Sequence, residues 1–254
     1  MRNFIICLLF LICTSICYSQ MPNHMMQEFR GVKRYPAVTR GLIEHYPLNN
    51  DNGSELLNYS VMTKVTASSI VQSPGKYQEH CFYSPGSVAG TGEYATKRTN
   101  QIHGLTAYTI SFWYRTNIRR TDVAISSYSQ TAFGFYAADI DASGKLYIAN
   151  QIPGQSGTTW TTEALSTNVW YYITYTRNGT VCYGYVNGAL SGSQSQAAEE
   201  RAFNQTVPFL LGGLGYFFGG FPNFNGNLQD VSIYGVALSS NEVWQLYKGF
   251  TQPP

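Results

Sequence analysis

Carboxylates, histidines and aromatic rings are the groups in this chain that bear chemistry, and their spacing decides which chemistry is open to them. Glycosidic hydrolysis needs two carboxylates held across one substrate. The acidic residues here are scattered, and Glu199 and Glu200 are adjacent, so in an extended chain they point to opposite faces. Gly154-Gln-Ser156-Gly157 is not the Gly-x-Ser-x-Gly elbow that presents a nucleophilic serine. His24, His45, His80 and His103 lack metal-ligand spacing. Asp139-Ile-Asp141-Ala-Ser143-Gly144 imitates the start of a calcium loop, but its twelfth position, Asn150, lacks the bidentate carboxylate. A hairpin turn explains that stretch better. The glycines near 212–220 lack the lysine of a phosphate loop. What remains is aromatic. Tyr216, Phe217, Phe218 and Phe221 crowd one stretch, with Phe224 after them, and Trp160 is expected in another polar loop. Exposed rings stack on sugar faces or anchor protein partners. The expectation is a non-enzymatic chain whose ligand contacts are Trp160, Tyr216, Phe217, Phe218 and Phe221, with no catalytic residue.

These side chains must be positioned by strands. Tyr108-Thr-Ile-Ser-Phe112-Trp113-Tyr114-Arg115 is rich in aromatic and β-branched residues, with apolar groups on both faces, as in a strand buried between two layers. Phe133–Tyr136 and Lys145–Ile148 flank Asp141–Gly144 as a hairpin. Trp170–Thr176 and Val181–Val186 flank a second hairpin turn at Asn178-Gly179. Val231 and Ile233 alternate as in a half-buried strand. Ser239 followed by Glu242 is a capping box, and Val243, Leu246 and Tyr247 give the helix behind it one apolar face. The only regular helix is expected after Leu238.

The closing stretch, Phe224-Asn-Gly226-Asn-Leu228-Gln-Asp230-Val231 followed by Leu238-Ser239-Ser-Asn-Glu242-Val243, resembles the end of the laminin-G-like, concanavalin A-like lectin/glucanase jelly-roll superfamily. Gly41-Leu42…Tyr46-Pro47-Leu48 resembles its opening strand, and Gly75 to Gly86 its second, with His80-Cys81 where the family usually has Ala-Leu. Tyr108–Trp113 and Trp170…Tyr185-Val186-Asn187-Gly188 resemble its middle strands. The resemblance covers Gly41 to Gly249 and implies an all-β, two-sheet antiparallel jelly-roll sandwich with one short C-terminal helix. It also implies that most such chains bind rather than catalyse. The glucan hydrolases of this fold carry Glu-x-Asp-x-(x)-Glu on one strand, a pattern missing here. The resemblance further implies a structural calcium with Asp230 as its carboxylate and backbone carbonyls completing the site. The alternative is a carboxylate held by hydrogen bonds.

Met1-Arg2-Asn3, the apolar run from Phe4 to Ile16 and the small residues before Gln20 describe a secretory signal peptide over residues 1–19. A flexible leader is expected over 20–40 and the jelly-roll domain over 41–250, secreted and extracellular. Cys7, Cys13 and Cys17 leave with the peptide, so Cys81 and Cys182 remain as an even pair in an oxidising compartment. They form either a disulfide, closing about 100 residues for about 4–5 kcal/mol, or two buried thiols. Asn52, Asn58, Asn178 and Asn204 head Asn-x-Ser/Thr sequons and are glycosylation candidates.

A net charge of +2 and 12% charged residues give no electrostatic reason to bind nucleic acid or an anionic membrane, and no stretch after the leader is apolar enough to span a bilayer. The expected partners are glycans or extracellular matrix proteins. The rival expectation is a structural component of an extracellular matrix, mineralised ones included.

Overall fold

The computed structural model describes residues 36–46, 48, 63–64, 76, 81–86, 95–97, 102, 104–120, 122–127, 135–140, 143–152, 155–195, 209–213 and 224–251. Residues 1–35, the loop rings Tyr216, Phe217, Phe218 and Phe221, and the sequons at Asn52, Asn58 and Asn204 lie outside these residues.

The strands in chain order are β1 (Leu42–Tyr46), β2 (Thr63–Lys64), β3 (Phe82–Pro85), β4 (Ala95–Lys97), β5 (Ala107–Thr116), β6 (Ile125–Ser127), β7 (Phe135–Ile140), β8 (Lys145–Ile152), β9 (Gln155–Ala164), β10 (Tyr171–Asn178), β11 (Val181–Val186), β12 (Ala189–Ser195), β13 (Phe209–Leu211) and β14 (Asn225–Tyr234). The helix α1 (Ser240–Thr251) follows. The first sheet runs β1-β14-β5-β10-β11-β12, with β3 also paired to β14. The second runs β2-β4-β13-β6-β7-β8-β9. Every pairing is antiparallel. Among the described residues, the expected all-β sandwich with one helix is the observed fold.

Alternation on β5 explains why its residues are apolar on both sides. Tyr108, Ile110, Phe112 and Tyr114 join Ile173, Tyr175, Val231 and Ile233 in the core between the sheets. Trp113 faces the other way and packs with Tyr172, Tyr234, Val243 and Leu246 under α1. Both predicted hairpins form, β7–β8 and β10–β11, the latter turning at Gly179 with φ 57°.

The capping box forms as its sequence dictates. Ser239 N donates to Glu242 Oε2 at 2.8 Å, and Glu242 N donates back to Ser239 Oγ at 3.4 Å. Arg40 grips the same carboxylate through Nε and Nη2 at 2.6 and 2.8 Å. Residues before Gly41 also pack on the sandwich: Val38 is buried under α1 and its carbonyl accepts from the Tyr234 hydroxyl at 3.2 Å. The buried valine docks this end of the expected leader against the helix.

Gly226 shows why the Phe-x-Gly spacing is used. A Cβ there would lie 2.2 Å from the Arg115 carbonyl oxygen and 2.4 Å from Phe224 Cζ. Without one, the Phe224 ring folds back to stack on Tyr114 at 5.4 Å, sealing one end of the core.

Candidate functional site

That sealed end is also where the aromatic stretch departs. β13 leads into Gly212 and Gly213, and the chain returns at Phe224, whose N–H donates to the Gly212 carbonyl at 3.0 Å. Gly212 N donates to Ala124 O at 2.6 Å and Ser126 Oγ to Gly213 O at 2.7 Å. Gly212, Gly213 and Phe224, the described residues on either side of 214–223, are thus held together on the sandwich beside the C-terminal end of β5.

Nearby the structure gathers polar side chains from β5, from β14 and from the connections that follow β5 and β9. Asn117 donates its backbone N–H to Asn225 O at 2.9 Å and its amide to Asn225 Oδ1 at 3.0 Å. Arg115 bridges Asn227 and Asn168, donating to their side-chain oxygens at 3.0 and 3.2 Å. Asn168 holds the left-handed φ of 63° that asparagine tolerates and donates its N–H to Thr116 O. Arg120 reaches the Gly86 carbonyl through Nη2. Arg119 is exposed at the same end, with Gly144 nearby. The rim therefore carries three guanidiniums and the amides of Asn117, Asn168 and Asn225. These are planar donors and acceptors of the kind that read hydroxyl and carboxylate groups.

Beneath the rim lies Asp122, 1% exposed. Its Oδ2 accepts from Asn225 N at 3.1 Å and from Arg120 Nε at 3.2 Å. Burial pushes its carboxyl up to about 7, against the pull of those two hydrogen bonds. Asp122 thus ties the start of β14, and with it one foot of the aromatic stretch, to the loop that carries Arg119 and Arg120.

Asp230 sits elsewhere, on a β-bulge of β14 with φ 51°. It is buried, and its Oδ1 lies 3.8 Å from Nε2 of the equally buried His45, whose Nδ1 meets Ser232 Oγ at 2.8 Å. Calcium takes oxygen ligands, and an imidazole nitrogen lies beside Asp230 Oδ1. Among the described residues no three His, Cys, Asp or Glu side chains converge on a point. Asp230 is the one side-chain carboxylate here, and the carboxylate held by protein partners is the alternative that the His45 contact favours. Ser232, His45 and Asp230 together have the composition of a hydrolytic relay, yet Ser232 is fully buried, so the trio fastens β1 to β14.

Other sequence expectations change as well. Trp160 lies in β9, not in a loop, at the register position opposite Tyr147. That is four residues, or about 13 Å, from the Ala164 end of the strand. Cys81 and Cys182 are both thiols, not a disulfide. Cys81 directly precedes β3 and Cys182 lies in β11, so β14, β5 and β10 stand between them. Four strand spacings put roughly 19 Å between them, well past the reach of a bridge. Instead Tyr175 donates to Cys182 Sγ at 2.9 Å, and Asn227 Nδ2 donates to Cys81 Sγ at 3.3 Å. Asn178 is exposed at the β10–β11 turn, where a sequon is accessible. The rim residues escaped sequence reasoning because they are polar residues from distant parts of the chain that only strand order brings together. Arg119-Arg120, directly after a strong strand, was the one local signal.

A model of the concanavalin A-like lectin/glucanases superfamily matches residues 89–244, well over half the chain. The chain belongs to that superfamily. No curated relative matches it in sequence. Among solved structures, domain 4 of the GH43 extracellular arabinanase AbnA from Geobacillus stearothermophilus, in complex with arabinotriose, is similar over 81% of this chain and 98% of its own, at 16% identity and a TM-score of 0.58. The binding domain of botulinum neurotoxin serotype D is similar over 83% of this chain, which spans 51% of that one, at 18% identity and a TM-score of 0.62. A structure of botulinum neurotoxin type C, whose cell entry depends on two ganglioside molecules, is similar over 65% of this chain and 42% of its own, at 17% identity and a TM-score of 0.52. These likenesses establish the lectin-like β-sandwich.

Proposed function

We propose that this chain is a secreted, non-catalytic glycan-binding module that holds its sugar at the end of the sandwich where Gly213 and Phe224 anchor the aromatic stretch. The observation that carries the reading is the rim itself: Arg115, Arg119, Arg120, Asn117, Asn168 and Asn225 surround the feet of a segment bearing Tyr216, Phe217, Phe218 and Phe221. Sugar recognition needs this pairing, with rings for the apolar face and fixed planar donors for the hydroxyls. The arabinotriose and ganglioside ligands of the similar structures support the same class of ligand. Secretion rests on the leader in residues 1–19. The absence of turnover rests on the scattered carboxylates and on the burial of Ser232, His45 and Asp230.

A glycan array probed with the mature chain, followed by titration of the strongest hit, tests this. Arg119→Ala and Phe218→Ala are expected to weaken binding at least tenfold, about 1.4 kcal/mol. Arg119→Ala should leave the melting temperature unchanged, since that side chain is exposed. A chain that binds no glycan, or that loses binding only on Trp160→Ala, contradicts the reading.

A further inference from the structure

The far end of β10 holds a cation that the glycan reading does not use. Ile173 and Tyr175 face the core, and Arg177 follows them on the same side of the strand. Its register partners are Tyr108 on β5 and Cys182 on β11, both core residues. The guanidinium is accordingly 1% exposed, one of the largest buried side chains of the molecule. Its Nε donates to the Gly179 carbonyl at 3.0 Å and the Tyr108 hydroxyl hydrogen-bonds the guanidinium, but among the described residues no well-aligned acceptor meets the buried Nη2.

Arginine does not shed its proton in a protein, and a buried charge is normally paired. No carboxylate reaches Arg177 among the described residues. The groups beside it do not supply the missing charge either. Burial drives the Tyr108 and Tyr175 hydroxyls far above their usual range and raises the Cys182 thiol, each against the pull of Arg177 itself. All three stay neutral, so these neighbours offer the guanidinium hydroxyl and thiol groups but no negative charge.

We propose that Arg177 is a binding site for one small monovalent inorganic anion of halide size, held by Nη2 between the two sheets near the β10–β11 turn. A larger anion is excluded, because no bulky group reaches a side chain so deeply buried without parting the strands. The ion binds the folded chain and not the unfolded one, so it stabilises the fold by mass action. The site is independent of the glycan reading: Arg177 lies near the Asn178 end of β10, whereas the rim lies near its Tyr171 end.

The test uses the mature chain, melted in sodium chloride, sodium bromide and sodium gluconate at one ionic strength. The expected result is a melting temperature several degrees higher in either halide than in gluconate, and no difference among the three salts for Arg177→Met. Crystals grown in bromide should show an anomalous peak within hydrogen-bonding distance of Arg177 Nη2. If Arg177→Met does not fold, the bromide peak decides alone. Equal melting of the wild-type chain in all three salts with no bromide peak overturns the proposal. So does a halide effect that survives in a folded Arg177→Met chain.

Discussion

Asp122 shows how a single residue links the fold to the candidate site. Its carboxyl is pushed up to about 7 from 3.8. Between those two values the folded chain keeps a proton that the unfolded chain has lost. Stability therefore falls as pH rises through that window, and the penalty is complete above pH 7. Asp122→Asn should remove this slope and stabilise the chain at pH 8, by an amount on the order of 2–4 kcal/mol. Denaturant melts at pH 5 and pH 8 check it, and an unchanged slope in the variant would show that Asp122 is not the group responsible. Asp230 gives a second residue-scale test. Its neighbour is His45 Nε2 at 3.8 Å, so melting in calcium and in chelator should coincide. A rise with calcium that Asp230→Ala abolishes would restore the ion to this site. The cysteines give a third. Denatured mature chain should react with two equivalents of a thiol reagent, as expected of Cys81 and Cys182 unbridged, whereas none reacting would mean that they are joined.

The elements were legible wherever side-chain period and turn chemistry agree. β5, the β10–β11 hairpin and α1 could be read because aromatic and β-branched runs, an Asn-Gly turn and a Ser-x-x-Glu cap each have a local cause. β9 was misread because Gln155–Ala164 carries a single large ring, Trp160, among polar and small residues. Its threonines were the available signal, since β-branching favours a pleated strand. The failed disulfide and the unread rim have a shared cause: both depend on which strands become neighbours, and strand order is not a local property. The helix cap yields a prediction of its own. Ser239→Ala should cost about 1 kcal/mol. Glu242 is held down to about 2 by Arg40, with help from Ser239. The stability it lends is present above about pH 4.5 and fades as pH falls toward 2. Acid melts of Glu242→Gln should lack that component, and a curve parallel to the wild type would rule the pair out as its source.

At the scale of the whole molecule, two seven-stranded sheets enclose the core, and the outer face of the first is covered by α1 and Val38. Covering that face spends Trp113, Tyr172 and Tyr234 on packing rather than on ligand. The proposed glycan site therefore falls to the Phe224 end, in keeping with function residing on loops set by a rigid scaffold. A crystal structure of the mature chain with the strongest glycan from the array tests this most directly. The account predicts the sugar within hydrogen-bonding distance of Arg119 or Arg120, against the segment between Gly213 and Phe224. A sugar lying instead along β8 and β9 at Trp160, with the Phe224 end untouched, would contradict it.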